Sequence, residues 1–257
     1  MVVLSSCRAL VTSGVPVPPS GIAFGPRGHS GPVETVEYAP GRKANLHGES
    51  SHPTVLLWHG MQTDARASVA VLADLVAGHG LHVVASDWNS HADDRGRSDL
   101  LASLDFARGF GSDSLVLVGW SMGGLAAADL TVHAHRLEID LTHTVCLAGA
   151  FMAAGPISGL HVTDSLSSEE TGTPFTLLHG AADDVVPPSA STEFGVALRA
   201  AGWPVEVAML DADHASIAGA ALDSVADKYV PATDGATREV AAEVAARIAA
   251  VVGVRPD

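Results

Sequence analysis

Ser121 stands in Gly119-Trp120-Ser121-Met122-Gly123, a G-x-S-x-G pattern that sets a hydroxyl among small residues. The segment before it, 114–118, is short, apolar and valine-bearing, which predicts a buried strand. The segment after it, 124–130, holds good helix formers. A serine at a sharp strand-to-helix turn is held above the sheet, and the first amides of the helix point to where an oxyanion would form. Two further groups supply what a serine nucleophile needs. His214 follows an apolar run at 205–210 and is a candidate general base. Asp183 and Asp184 follow another at 175–178, and either carboxylate could orient that histidine and stabilise its imidazolium form. Each group also has a bland reading: a tight turn, a solvated loop histidine, an acidic cluster before a helix. Their placement at three separate strand ends, in the order Ser, Asp, His, favours the chemistry.

These side chains need elements to position them. Apolar runs predict strands over 33–38, 54–58, 81–85, 115–118, 144–148, 175–178 and 205–210. Helical spacing predicts helices over 65–77, 99–108, from the elbow to about 136, 189–201 and 237–252. A polar loop is expected from the end of the first strand through Pro53. Strands alternating with helices predict an α/β fold, a mostly parallel twisted sheet with helices on both faces. Chemistry in such sheets sits at the carboxyl ends of the strands. The expected organisation is a single domain over 1–257, with an irregular Gly/Pro/Ser-rich segment at 1–31 and a core at 33–252.

The strand at 54–58 is followed by His59-Gly60-Met61-Gln62. Glycine here lets the backbone approach a ligand closely. The N–H groups of Met61 and Met122 are the candidate oxyanion donors, because backbone donors fixed by a sheet are oriented before the reaction starts. The His59 side chain is expected to tie down the loop rather than to react.

Composition narrows the field. Across 257 residues, 47% are hydrophobic and the formal net charge is −15. That suits a globular chain and argues against nucleic acid and anionic membrane surfaces, which need basic patches. No apolar run approaches the ~18 residues that span a bilayer. Cys146 lies in an apolar run and is expected to be a buried thiol. Cys7 lies in the irregular N-terminal stretch, where Leu4-Ser5-Ser6-Cys7 has neither the charged nor the apolar region of a working leader. This cysteine usage is compatible with a reducing compartment, hence a cytoplasmic expectation. The thirteen histidines show no H-E-x-x-H, and His133 and His135, two apart on a predicted helix, point to different faces. No metal is expected, and no phosphate loop or dinucleotide fingerprint occurs.

Trp58-His59-Gly60, Gly119 through Gly124, His179 through Pro187, and Asp213-His214 resemble the α/β-hydrolase superfamily. The likeness covers about residues 33–252 and is nearest in kind to small bacterial esterases and serine-bearing relatives of dienelactone hydrolases. The family's acid loop, H-G-x-x-D-x-x-V-P, laid on 179–187, selects Asp183 over Asp184. The resemblance implies a serine hydrolase in which Ser121, Asp183 and His214 cleave carboxylic esters through an acyl-enzyme. It implies no cofactor and a small-molecule ester as partner. Dienelactone hydrolases carry cysteine at the elbow, so Ser121 does not carry over their lactone substrate. Residues 149–174 are too few for a full cap domain, although Phe151, Met152, Ile157 and Leu160 could form a lip. The same triad would also serve a thioesterase, lactonase, peptidase or acyltransferase. The fold is used by non-catalytic binding proteins too, which have no need of all three groups.

Overall fold

The computed structural model describes residues 31, 33–111, 115–167 and 172–253. Cys7 and the irregular segment expected at 1–31, Gly31 apart, lie outside them. Eight strands form the main sheet: β1 (Glu34–Ala39), β2 (Arg42–His47), β3 (Thr54–Trp58), β4 (His82–Ser86), β5 (Leu115–Trp120), β6 (His143–Leu147), β7 (Phe175–Gly180) and β8 (Val205–Leu210). Their order is β1-β2-β4-β3-β5-β6-β7-β8. The β1–β2 and β2–β4 pairs are antiparallel, and from β4 to β8 every pair is parallel.

The central strands are apolar on both faces because helices cover both. The pleat sends Val55, Leu57, Val116, Val118 and Trp120 to one side, where α1 (Ala70–Ala77) and α5 (Gly235–Val252) pack. It sends Leu56, Trp58, Leu115 and Leu117 to the other, against α2 (Arg97–Arg108), α3 (Met122–Val132) and α4 (Ser189–Ala200). The helix α5 starts at Asp234, whose carboxylate accepts the Thr237 N–H at 2.8 Å. Cys146 is buried in the layer under α3, and burial raises its thiol pKa.

Three elements depart from the expectations. Arg42–His47 is a strand, not part of a polar loop. Only its Ala44 and His47 are fully buried, while Arg42 pairs with Asp64 and Asp99, so the segment reads as polar although it is central to pairing β1 with β4. The predicted helix at 65–77 begins instead with a 3₁₀ turn, Arg66–Val69. A separate antiparallel hairpin, β9 (Ala220–Asp223) and β10 (Lys228–Pro231), occupies a stretch with no predicted element.

Buried histidines give the scaffold a pH dependence. Burial lowers the pKa of His79, His82 and His143. His82 is also disfavoured as a cation by His47 and His52, and its ring packs edge-on against Phe110 at 4.5 Å. The unfolded chain therefore takes up protons at these sites before the folded one does. Stability is fully present above the ordinary histidine pKa of ~6.5 and is lost as pH falls below it. The melting temperature should drop between pH 7 and pH 5, and the drop should be shallower in His82→Leu. An equal slope in that variant would remove His82 as a contributor.

Candidate active site

β5 ends at Trp120, and Ser121 takes φ 57° and ψ −118°, a backbone region costly for any residue with a side chain. The end of β6, the loop after it and the first turn of α3 hold it there. The Ser121 N–H donates to Leu147 O at 2.8 Å, and Ser121 O accepts from Leu125 N at 3.1 Å and Ala150 N at 3.2 Å. The flanking glycines are obligatory for space: a Cβ on Gly119 would collide with the Gly123 carbonyl, and one on Gly123 with the His59 carbonyl.

β8 delivers His214 to the same point. Its Nε2 lies 3.0 Å from Ser121 Oγ, and its Nδ1 lies 2.8 Å from Asp183 Oδ2. The loop is shaped by Asp213, whose Oδ1 accepts the N–H groups of Ala215 and Ser216 at 3.0 and 2.7 Å. β7 delivers Asp183, which is buried, whereas Asp184 is exposed. Asp183 Oδ1 accepts the N–H groups of Val185 and Val186 at 2.9 and 2.8 Å. Burial by itself would raise the Asp183 pKa. Hydrogen bonds from His179, His214 and Val186 outweigh it and hold this carboxyl well below the usual carboxylate range. His179 was legible only as a motif letter. It is fully buried, with Nε2 3.2 Å from Asp183 Oδ2 and Nδ1 2.7 Å from Ser191 Oγ.

The loop after β3 closes the site. A Cβ on Gly60 would lie 3.3 Å from Ser121 Cβ and 3.4 Å from the Trp120 ring, so this loop passes close to the serine at Gly60. His59 ties this loop down, as expected. Its Nδ1 lies 2.8 Å from Gly60 O, and its Nε2 accepts from Ala65 N and Trp88 N, both at 3.2 Å. That pattern requires the neutral ring protonated at Nδ1. Burial pushes the His59 pKa down to about 4, so it adds to the acid-side loss of stability. Met122 is the first residue of α3, where an N–H has no carbonyl one turn earlier to bond. Met61 and Met122 line one cleft of about 250 Å³, with Ser90, Arg95 and Pro156 on its other walls.

No protein-family model matches the sequence, and a search of curated proteins finds no match. Solved structures do match. Esterase 2 of Thermogutta terrifontis superimposes with a TM-score of 0.67 at 16% identity, over 90% of this chain and 98% of that one. Est1E of Butyrivibrio proteoclasticus superimposes with a TM-score of 0.62 at 15% identity, over 86% of this chain and 99% of that one. The chain has the α/β-hydrolase fold.

In this α/β-hydrolase sheet the segment after β6 folds down onto α3. It does not make the four-residue lip expected from sequence. Phe151 and Ile157 are buried, Phe151 against Phe194 with ring centroids 4.3 Å apart, and only Met152 and Leu160 face outward. The segment is stapled to α3 by buried Asp129. Its Oδ2 accepts Ile157 N at 2.7 Å and Ser158 N at 2.9 Å, and its Oδ1 accepts Ser158 Oγ at 2.6 Å. A buried carboxylate with all its partners is invisible to hydropathy, because Asp129 reads as a polar interruption of the helix. Among the described residues no group of three or more His, Cys, Asp or Glu could hold a metal ion, and no helix is long and apolar enough to cross a membrane.

Proposed function

We propose that this protein is a serine hydrolase that cleaves carboxylic esters. The observation that carries the reading is the hydrogen-bonded chain Ser121 Oγ, His214, Asp183, at 3.0 and 2.8 Å, anchored at a strained strand-to-helix turn. His214 takes the Ser121 proton as Ser121 Oγ attacks the ester carbonyl. The amides of Met61 and Met122 hold the oxyanion. His214 then protonates the departing alcohol, leaving an acyl-enzyme. Water, with His214 again as base, releases the acid. Asp183 stays ionised and keeps His214 Nδ1 protonated, so Nε2 is free to accept. No cofactor takes part in these steps. A single domain spanning the core at 33–252 and a small-molecule ester substrate belong to the same reading.

The superimposed proteins support it. Esterase 2 of Thermogutta terrifontis is described as phosphorylated by paraoxon, and other structures of it hold propionate or butyrate. Paraoxon should therefore add one diethylphosphoryl group to this chain, at Ser121, and none to Ser121→Ala. Intact-mass measurement and peptide mapping check this, and modification at another residue, or none, would sink the reading.

Short acyl chains should be turned over best. The segment after β6 is held down on α3, with Phe151 and Ile157 buried, so it builds no cap that would enclose a long acyl tail. Enclosing an acyl tail is worth about 0.8 kcal/mol per CH₂, and without enclosure that gain is absent. Among p-nitrophenyl esters from acetate to palmitate, kcat/KM should peak by about butyrate. A steady rise to the longest soluble chain would contradict the open-site reading.

A further inference from the structure

The chain that leaves His214 folds back over it. After the 3₁₀ turn Ser216–Ala218, the β9–β10 hairpin returns Tyr229 to the site, where its ring lies 6.1 Å from the His214 ring and meets Trp120 edge-on at 4.9 Å. Trp120 is the residue immediately before the nucleophile and is completely buried. Its indole N–H donates to the backbone carbonyl of His214 at 2.8 Å, and its ring lies 5.4 Å from the imidazole. The strand that presents Ser121 and the loop that presents His214 are therefore joined through one side chain.

We propose that Trp120 and Tyr229 are positioning residues for the His214 imidazole, and that the hairpin is a working part of the site. The proposal rests on the reading of His214 as general base. The loop carrying His214 extends past the end of β8 and has no ladder partner to hold its carbonyl. The Trp120 N–H supplies one and thereby sets the direction of the His214 Cβ. Rotation about the remaining side-chain bonds is limited from the flank by the Trp120 and Tyr229 rings. The Asp183 contact holds Nδ1, so the imidazole is held at its backbone, its flank and its far nitrogen. A base held on fewer sides visits geometries in which Nε2 no longer faces Ser121 Oγ. Misplacement by about 1 Å can cost on the order of 10²-fold in rate.

Trp120→Phe keeps an aromatic ring but removes the N–H and part of the indole's bulk. Tyr229→Leu removes the ring from a half-buried hairpin position, and Tyr229→Phe restores it. Trp120→Phe and Tyr229→Leu should each lower kcat by about 10- to 100-fold with KM within about twofold. Tyr229→Phe should recover most of what Tyr229→Leu loses. The Trp120 ring also lies where a Cβ on Gly60 would meet it at 3.4 Å, so a loss could arise through the oxyanion loop instead. Combination with His214→Ala separates the two routes. Where the imidazole is absent, Trp120→Phe should cause no further loss of the residual rate. The proposal is overturned if kcat of Trp120→Phe and Tyr229→Leu stays within twofold of wild type. It is equally overturned if Trp120→Phe costs the same factor with and without His214. Full activity of His214→Ala alone is a different result, and it would remove the general-base reading itself.

Discussion

Ser121→Ala should lower kcat by about 10⁶ while the protein still folds. The size follows from the way nucleophile and base act as a unit: removing the serine of such a set costs about as much as removing every member. What remains is the modest acceleration from oxyanion donors and binding. The fold should survive because alanine adds no bulk between Gly119 and Gly123. The contacts that hold the turn are also made by backbone atoms, namely Ser121 N to Leu147 O and Ser121 O from Leu125 N and Ala150 N. Alanine must still adopt φ near 57°, so little of the backbone strain is relieved. Steady-state kinetics with an activated acetate ester, alongside a melting curve, checks both halves. More than a tenth of wild-type activity in a folded variant would reject Ser121 as the nucleophile.

Asp183→Asn should lower kcat by roughly 10⁴, and Asp184→Asn should stay within about twofold of wild type. The two residues are adjacent, so the comparison controls for the loop. Asp183 is buried with both oxygens occupied: Oδ1 by the Val185 and Val186 amides, Oδ2 by His214 and His179. In Asp183→Asn the amide N–H₂ takes the place of the Oδ2 acceptor. His214 must then present an unprotonated Nδ1 to it, which puts the proton on Nε2. That nitrogen can no longer take the serine proton. Asp184 is exposed and lies outside this chain of bonds. Equal kcat values for the two variants, or the reverse order, would reject Asp183. Paraoxon labelling of Asp183→Asn should slow in parallel, because phosphorylation of Ser121 uses the same base.

Much of this protein was legible in local sequence. Valine- and leucine-rich runs identify β3, β5 and β7, because a strand buried on both faces has no polar phase to confuse the pattern. The G-x-S-x-G turn is legible for a related reason, since the close approach of Gly119 to Gly123 leaves no room for a Cβ. The order of Ser121, Asp183 and His214 at three separate strand ends suggested their chemistry, and motif spacing favoured Asp183. Only the tertiary structure brings them within hydrogen-bonding distance, across 93 residues from Ser121 to His214. It also decides which acid is buried, since Asp183 and Asp184 are chemically identical until the loop aims one inward. The same limit explains what was missed. β2 carries Arg42, which pairs with distant Asp64 and Asp99, Asp129 is a buried staple for a segment almost thirty residues away, and the hairpin brings Tyr229 back onto His214. Periodicity reports how a residue sits among its chain neighbours. A polar side chain satisfied by a partner from another element looks, in sequence, the same as one satisfied by water.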